Sequence, residues 1–147
     1  MHGTSLTPRR RVRRGHPVRG RARQRFPLSG PPPAYNSQCA ICRLKELRLL
    51  DAAHILSDVL EAGEPTIQNG LSLCAIHHRA FDQNLIGVSP DYIVHVSRRL
   101  LEDEDGPMLD LLKGFHERSL SVPSRSADRP DRERLDIRFA SFLQLAV

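Results

Sequence analysis

Two pairs of side chains constrain this 147-residue chain more than any other feature of its sequence. Cys39 and Cys42 enclose two residues, and Cys74 and His77 enclose two more. This spacing is typical of a structural zinc site, because a short turn brings both members of a pair onto one tetrahedral ion. The alternative is three ordinary buried cysteines and a surface histidine, since cysteine is often buried without any metal. Two pairs with the same gap favour zinc.

Length and composition limit the chain to one small domain with tails. Hydrophobic residues make up 39% of the chain, so a zinc ion would help to stabilise so small a core. No run approaches the roughly 20 apolar residues of a membrane span, and the N-terminus has arginines where a signal peptide needs an apolar segment. We therefore expect a cytoplasmic protein with no membrane partner. In a reducing compartment, a C-x-x-C pair is more often a metal or redox pair than a disulfide.

The basic charge is concentrated at the N-terminus. Residues 1–30 hold nine of the 22 lysines and arginines and no acidic residue, so the remainder carries 13 basic against 17 acidic side chains. Such an arm suits phosphate backbones, and the alternative is a solvated extension without a specific partner. With its proline run, the segment 1–34 is predicted to be a disordered arm. The arginines expected to contact nucleic acid are Arg9, Arg10, Arg11, Arg13 and Arg14.

Hydrophobic periodicity and turn residues predict a short series of elements after the arm. We expect a strand over 47–55 that delivers His54 at its tip, a loop over 57–70, and a short helix from Cys74 to about Gln83. A hairpin over 86–96 is predicted to turn at 89–91, and two helices are expected over 107–118 and 131–145.

Four residues close to the paired ligands are not needed for zinc: His54, Asn69, His78 and Asp82. With the pairs, they form the pattern C-A-I-C, A-A-H-I and N-G-L-S-L-C-A-I-H-H-R-A-F-D. This pattern resembles the HNH endonuclease family. The resemblance implies a small α+β fold with a ββα-metal, treble-clef-like core stabilised by structural zinc.

The resemblance also predicts how the chain is divided. We expect the nuclease domain over 35–98 and a C-terminal helical extension over 99–147, similar to the tail of many bacterial and phage-borne HNH proteins. The N-terminus departs from the family pattern, because Gly30-Pro-Pro-Pro interrupts the helix that usually precedes the tyrosine.

Roles for the four residues follow from the resemblance. His54 corresponds to the general base, and a neutral imidazole can take a proton from water at neutral pH. Asn69 corresponds to the residue that orients the base, and its alternative is an Asn-Gly turn residue. His78 and Asp82 correspond to ligands of a catalytic Mg²⁺, Mn²⁺ or other divalent ion, one helical turn apart. The alternative for Asp82 is a solvated helix carboxylate.

One position departs from the catalytic pattern. Many family members carry a metal-binding Asp or His immediately before the base, where this chain has Ala53. Asp51 is the candidate substitute, because residues two apart on a strand point to the same face. The alternative is that position 51 lies too far along the strand.

The sequence therefore predicts a metal-dependent HNH endonuclease that hydrolyses phosphodiester bonds in DNA. One alternative is a catalytically inactive, zinc-stabilised DNA-binding module. Another is an interaction protein in which zinc only stabilises the fold. The sequence favours no particular oligomeric state.

Overall fold

The computed structural model of the protein describes residues 32–57, 66–104 and 106–146. The predicted basic arm lies almost entirely outside these residues, as does most of the predicted loop between the first two strands. The described residues form a small α+β fold with two antiparallel two-stranded sheets, which confirms the predicted fold class.

The first unit consists of two strands followed by a helix. Strand β1 (Leu50–His54) pairs antiparallel with β2 (Gly70–Cys74), and helix α1 (Ala75–Asp82) follows β2 directly. In this register His54 lies opposite Gly70. Helix α1 packs on both strands, and its Phe81 is fully buried. The unit therefore places the end of β1 and the exposed side of α1 close together.

A hairpin forms the second sheet. Strands β3 (Ile86–Val88) and β4 (Val94–Val96) pair antiparallel, as predicted from their apolar residues and intervening turn. A later segment adds to the β4 side through an antiparallel bridge between Ile93 and Ser119.

The C-terminal part contains three helices: α2 (Arg98–Leu101), α3 (Asp110–Lys113) and α4 (Arg132–Leu145). The side chain of Asp131 caps α4 by accepting hydrogen bonds from the first backbone N–H groups of the helix. Helix α4 packs against β3, so the predicted extension lies on the rest of the fold. The domain boundary at residue 98 stays a prediction.

Two predicted elements differ from those observed. The predicted strand over 47–55 begins later, because residues Leu47–Leu49 form a 3-10 turn in which Glu46 accepts the backbone N–H of Arg48. The predicted helix over 107–118 is interrupted after Lys113. There Glu117 takes a positive φ of 59° and its N–H donates to the carbonyl of Val94, so the chain leaves the helix to pair with β4.

The contact between α4 and β3 depends on a glycine. A Cβ atom added to Gly87 would lie 2.5 Å from two ring carbons of Phe142, a buried residue of α4. Glycine therefore allows the aromatic ring to lie directly on the strand backbone.

We predict that Gly87→Ala destabilises the protein by about 1–3 kcal/mol, because the added methyl group overpacks this contact. Chemical denaturation measures the free energy of unfolding. In a double-mutant cycle, the cost of Gly87→Ala should fall when Phe142→Leu is also present, because the ring that causes the clash has been removed. Additive costs would contradict this account of the contact.

Candidate metal centres and active site

The two predicted ligand pairs converge on one point. The ligand atoms of Cys39, Cys42, Cys74 and His77 all lie within 4.8 Å of one another, and the three cysteines are free thiols. The Sγ atoms of Cys42 and Cys74 are 3.9 Å apart, and Nδ1 of His77 lies 3.6 Å from Sγ of Cys39. Tetrahedral zinc would separate two sulfurs by about 3.8 Å and a sulfur from a nitrogen by about 3.5 Å. The residues present therefore fit a four-coordinate metal ion.

The imidazole of His77 is oriented by the C-terminal part of the chain. Its Nε2 lies 2.7 Å from the carbonyl oxygen of Leu111, and its ring meets the ring of Phe115 edge-on at 5.3 Å. A hydrogen bond from Nε2–H to this carbonyl places the lone pair on Nδ1, which faces the sulfurs. Ligating histidines commonly make such a bond to a backbone carbonyl, because it fixes the tautomer and the ring direction.

The thiols of the cluster influence one another. Hydrogen bonding from the Cys74 thiol, with a smaller contribution from His77, lowers the pKa of Cys39 to about 3 against the opposing effect of burial. The same bond raises the pKa of Cys74, the donor. The lowered pKa of Cys39 favours its thiolate, which is the form of cysteine that binds a metal ion.

A second cluster, on a partly exposed face of α1, joins Asp51, His78 and Asp82. Nδ1 of His78 is 3.2 Å from a carboxylate oxygen of Asp51, and Nε2 is 3.3 Å from a carboxylate oxygen of Asp82. The Asp82 contact follows from the i, i+4 spacing on α1. The Asp51 contact arises because β1 runs beside the helix. Position 51 is therefore close enough to reach His78.

The two carboxylates face different nitrogens of one ring. A neutral imidazole has one N–H donor and one lone-pair nitrogen, so it satisfies only one carboxylate by donation. The other contact needs a positive charge, either a second proton on the ring or a cation shared by nitrogen and carboxylate. About half of each carboxylate side chain is exposed, so an ion would have access from solvent. These residue types fit a divalent ion with oxygen and imidazole ligands.

Asn69 fastens the segment that follows His54. Its fully buried side chain accepts the backbone N–H of Leu56 at 2.9 Å and donates to the carbonyl of the same residue at 2.9 Å. The carbonyl of Asn69 also accepts the N–H of Ile55 at 2.9 Å. The Asn69 amide and backbone thus bridge two chain segments directly after His54.

His54 is the last residue of β1 and is partly buried. It lies opposite Gly70, whose carbonyl accepts a hydrogen bond from the Tyr35 hydroxyl at 3.1 Å. His54 therefore lies at the end of a strand, opposite a partner residue that is held by a buried hydrogen bond.

Adjacent histidines serve the two clusters. His77 is buried and faces the thiols, whereas His78 is partly exposed and faces the carboxylates. Neighbouring residues on a helix point about 100° apart, so one turn of α1 supplies both sites. The predicted site residues from Cys39 to Asp82 are thus arranged around one helix, and the five arginines predicted to contact nucleic acid lie outside the described residues.

The structure also adds three residues that the sequence did not indicate. Leu111 and Phe115 contact His77, and Arg138 of α4 contacts Phe81 in α1. They lie more than 30 positions from their partners, and no spacing pattern connects them. Among the described residues, no helix is long and apolar enough to cross a bilayer.

Comparison with known proteins agrees with this arrangement. The sequence model of the HNH endonucleases matches residues 39–89, which contain both clusters. Among solved structures, the chain is similar to the modification-dependent TagI restriction endonuclease, with a TM-score of 0.54 and 18% identity. That match covers 74% of this chain and 34% of the TagI chain, so the protein spans about a third of its structural relative. No curated protein matches the chain.

At 18% identity the structural likeness establishes the fold, and the sequence match covers the segment that holds both ligand clusters. Residues 39–89 of the chain are similar to the HNH endonuclease family, and this segment holds the ββα unit with both ligand clusters.

Proposed function

We propose that the protein is a metal-dependent endonuclease that hydrolyses phosphodiester bonds in DNA, with His54 as the general base. The observation that carries this proposal is the His78 imidazole between two carboxylates, beside a strand that ends in His54. A buried structural histidine would not need two half-exposed carboxylates, one on each ring nitrogen. The pinning of the following loop by Asn69 supports the same reading.

In this proposal His54 takes a proton from the water that attacks phosphorus. The water oxygen forms the new P–O bond, the bond to the leaving oxygen breaks, and the leaving oxygen gains a proton from solvent. A neutral imidazole has one lone-pair nitrogen, which can accept the proton of the attacking water. Asn69 keeps the backbone after His54 in place, so that the imidazole retains its direction.

Asp82 and Asp51 have different roles in the proposal. His78 and Asp82 would hold the divalent ion through Nε2 and a carboxylate, as the family resemblance implies for this helical pair. Asp51 would accept the proton on Nδ1 and orient the ring, because it faces the opposite nitrogen. When bound, the ion would supply positive charge for the phosphate and the leaving oxygen. The sequence-based hypothesis that Asp51 substitutes for the ligand missing at Ala53 is the alternative to this orienting role.

We further propose that the metal of the thiol cluster is zinc and that its role is structural. Three cysteines and one histidine complete a tetrahedron, leaving no open position for substrate. The proposed DNA partner would be bound partly by the arginine arm, whose charge favours phosphate backbones.

We predict that His54→Ala lowers the rate of plasmid nicking in Mg²⁺ or Mn²⁺ by at least about 10²-fold, because no other group would accept the proton. Zinc content and the thermal transition should stay as in the wild type. His95→Ala is the control, since His95 is a partly buried strand histidine outside the site. Nicking by His54→Ala at the wild-type rate would rule out His54 as the base. DNA binding without nicking by the wild type would favour the inactive binding module.

The proposed roles of the two carboxylates predict unequal effects of isosteric substitution. Asp82→Asn should raise the Mn²⁺ concentration for half-maximal nicking by about tenfold or more, because a charged ligand is lost. Asp51→Asn should have a smaller effect, because the Asn oxygen still accepts the Nδ1 proton. If Asp51→Asn raised this Mn²⁺ concentration more than Asp82→Asn does, Asp51 would be the ligand and Asp82 the orienting residue. If neither variant changed it, an ion at His78 would be excluded.

We predict one zinc ion per chain by elemental analysis. Cys42→Ala should lose that ion and the cooperative thermal transition, because binding of a structural zinc contributes on the order of 10 kcal/mol to folding. Cys42 is the least buried of the three cysteines, so the substitution itself removes little packing. Retention of zinc and of the wild-type Tm by this variant would contradict a four-ligand structural site.

A further inference from the structure

The C-terminal helix places a cation against the end of α1. Arg138 of α4 donates from Nη2 to the carbonyl oxygen of Phe81 at 2.6 Å. Its guanidinium carbon also lies 4.7 Å from the centre of the Phe81 ring. The Arg138 side chain is therefore held by both the backbone and the ring of one residue, which lies directly before Asp82.

This contact stabilises a particular turn. The last carbonyls of a helix lack intrahelical donors and carry partial negative charge, so a cation is favourable there. The Phe81 carbonyl also accepts the N–H of Asn84, which takes a left-handed φ of 54° as α1 ends. Arg138 supplies a side-chain donor to the same carbonyl, in addition to the backbone donors at the end of the helix.

The Arg138 guanidinium also interacts electrostatically with the carboxylate of Asp82. Burial lowers the pKa of Arg138, and the negative charge of Asp82 opposes that effect. The two side chains are thus within electrostatic reach of each other, although Asp82 contacts His78 directly. A single residue of α4 therefore acts on both the backbone and the charge of the turn that carries Asp82.

Helix α4 is itself firmly held, so Arg138 is delivered from a fixed position. Leu135 is fully buried, and the ring of Phe142 lies on the backbone of Gly87. At the start of the helix, the N–H of Asp131 donates to the carbonyl of Gln68, next to Asn69. Helix α4 thus connects the segment that carries Asn69 with the end of α1.

We propose that Arg138 is a positioning residue for the catalytic ion: through the Phe81 carbonyl it fixes the last turn of α1 and holds Asp82 beside His78. The inference rests on the proposed function, because it concerns the ion assigned to His78 and Asp82. It makes the C-terminal extension part of the active site, rather than an appendage to it.

The test compares two arginines of the same helix. Arg138→Met removes the guanidinium and keeps an apolar side chain of similar length over Phe81. Arg132→Met is the matched control, because Arg132 also lies over an aromatic ring, at 4.9 Å from the centre of Tyr92, and also makes a polar contact, to Asp91. Asp91 and Tyr92 lie in the turn between β3 and β4, away from α1.

The primary measurement is the binding of Mn²⁺ to the full-length, zinc-loaded protein. Titration calorimetry and the electron paramagnetic resonance signal of free Mn²⁺ both report this binding. Mn²⁺ favours oxygen and imidazole ligands over thiolates, so it should leave the cysteine cluster to zinc. Nicking rates at saturating Mn²⁺ and zinc content are measured beside it.

We expect Arg138→Met to raise the Kd for Mn²⁺ by about tenfold or more, as is typical when a residue supporting a ligand is lost. Arg132→Met should bind Mn²⁺ as the wild type does, and both variants should keep their zinc. Arg138→Lys, which keeps the charge and a donor but not the planar fork, should lie between wild type and Arg138→Met. If Arg138→Met does not fold, Arg138→Lys becomes the test, with weaker Mn²⁺ binding expected.

Wild-type affinity in Arg138→Met, or in Arg138→Lys where that variant is the test, would overturn the positioning role. An equal shift in Arg132→Met would also overturn it, because the effect would then belong to helix stability in general. A wild-type protein that binds no Mn²⁺ would instead overturn the proposed catalytic ion. The two failures are therefore distinguishable.

Discussion

Three sulfur atoms and one imidazole nitrogen meet at one point of the fold. A metal ion bound there would join chain segments that the small hydrophobic core stabilises only weakly. Cys39 and Cys42 come from the turn before β1, whereas Cys74 and His77 come from the junction of β2 and α1. Through Nε2 of His77, the cluster also reaches the carbonyl of Leu111 in the C-terminal part. One point of coordination would thus fix three distant segments, which is how small domains compensate for limited apolar burial.

The candidate active site is carried mainly by strands and a helix. The proposed base is at the end of a paired strand, and the proposed ion ligands lie one turn apart on a helix that continues directly from the partner strand. Buried hydrogen bonds from Asn69 and Tyr35 hold the surrounding backbone. Because each of these side chains is carried by a strand or helix with its own packing, the elements of the fold fix their mutual geometry.

The parts of the fold that depend on local spacing could be predicted from the sequence. The C-x-x-C and C-x-x-H pairs, the i, i+4 pair on α1 and the hairpin over 86–96 all follow from residue types a few positions apart, and the structure agrees with each. The start of β1 and the end of the helix after Pro107 were wrong, because hydrogen bonds to Glu46 and Val94 compete with the local periodicity.

Contacts between segments that are distant in the sequence could not be predicted from local residue spacing. Which nitrogen of His78 faces Asp51 depends on how β1 lies beside α1, and Arg138 meets Phe81 only because α4 packs on β3. Both are consequences of tertiary packing, for which a single sequence carries no spacing rule.

The adjacency of His77 and His78 would link metal binding at the thiol cluster to ion binding at the proposed site around His78. A rotation of the first turn of α1 that improved the position of one histidine would move the other out of place. A metal ion in the thiol cluster would therefore favour the helix orientation in which His78 faces the carboxylates. Such linkage is reciprocal. An ion at His78 would therefore raise the affinity of the thiol cluster for its metal by the same factor by which that metal raises the affinity of His78 for its ion. The histidine doublet would thereby make the stability of the scaffold depend on the ion proposed to bind at His78.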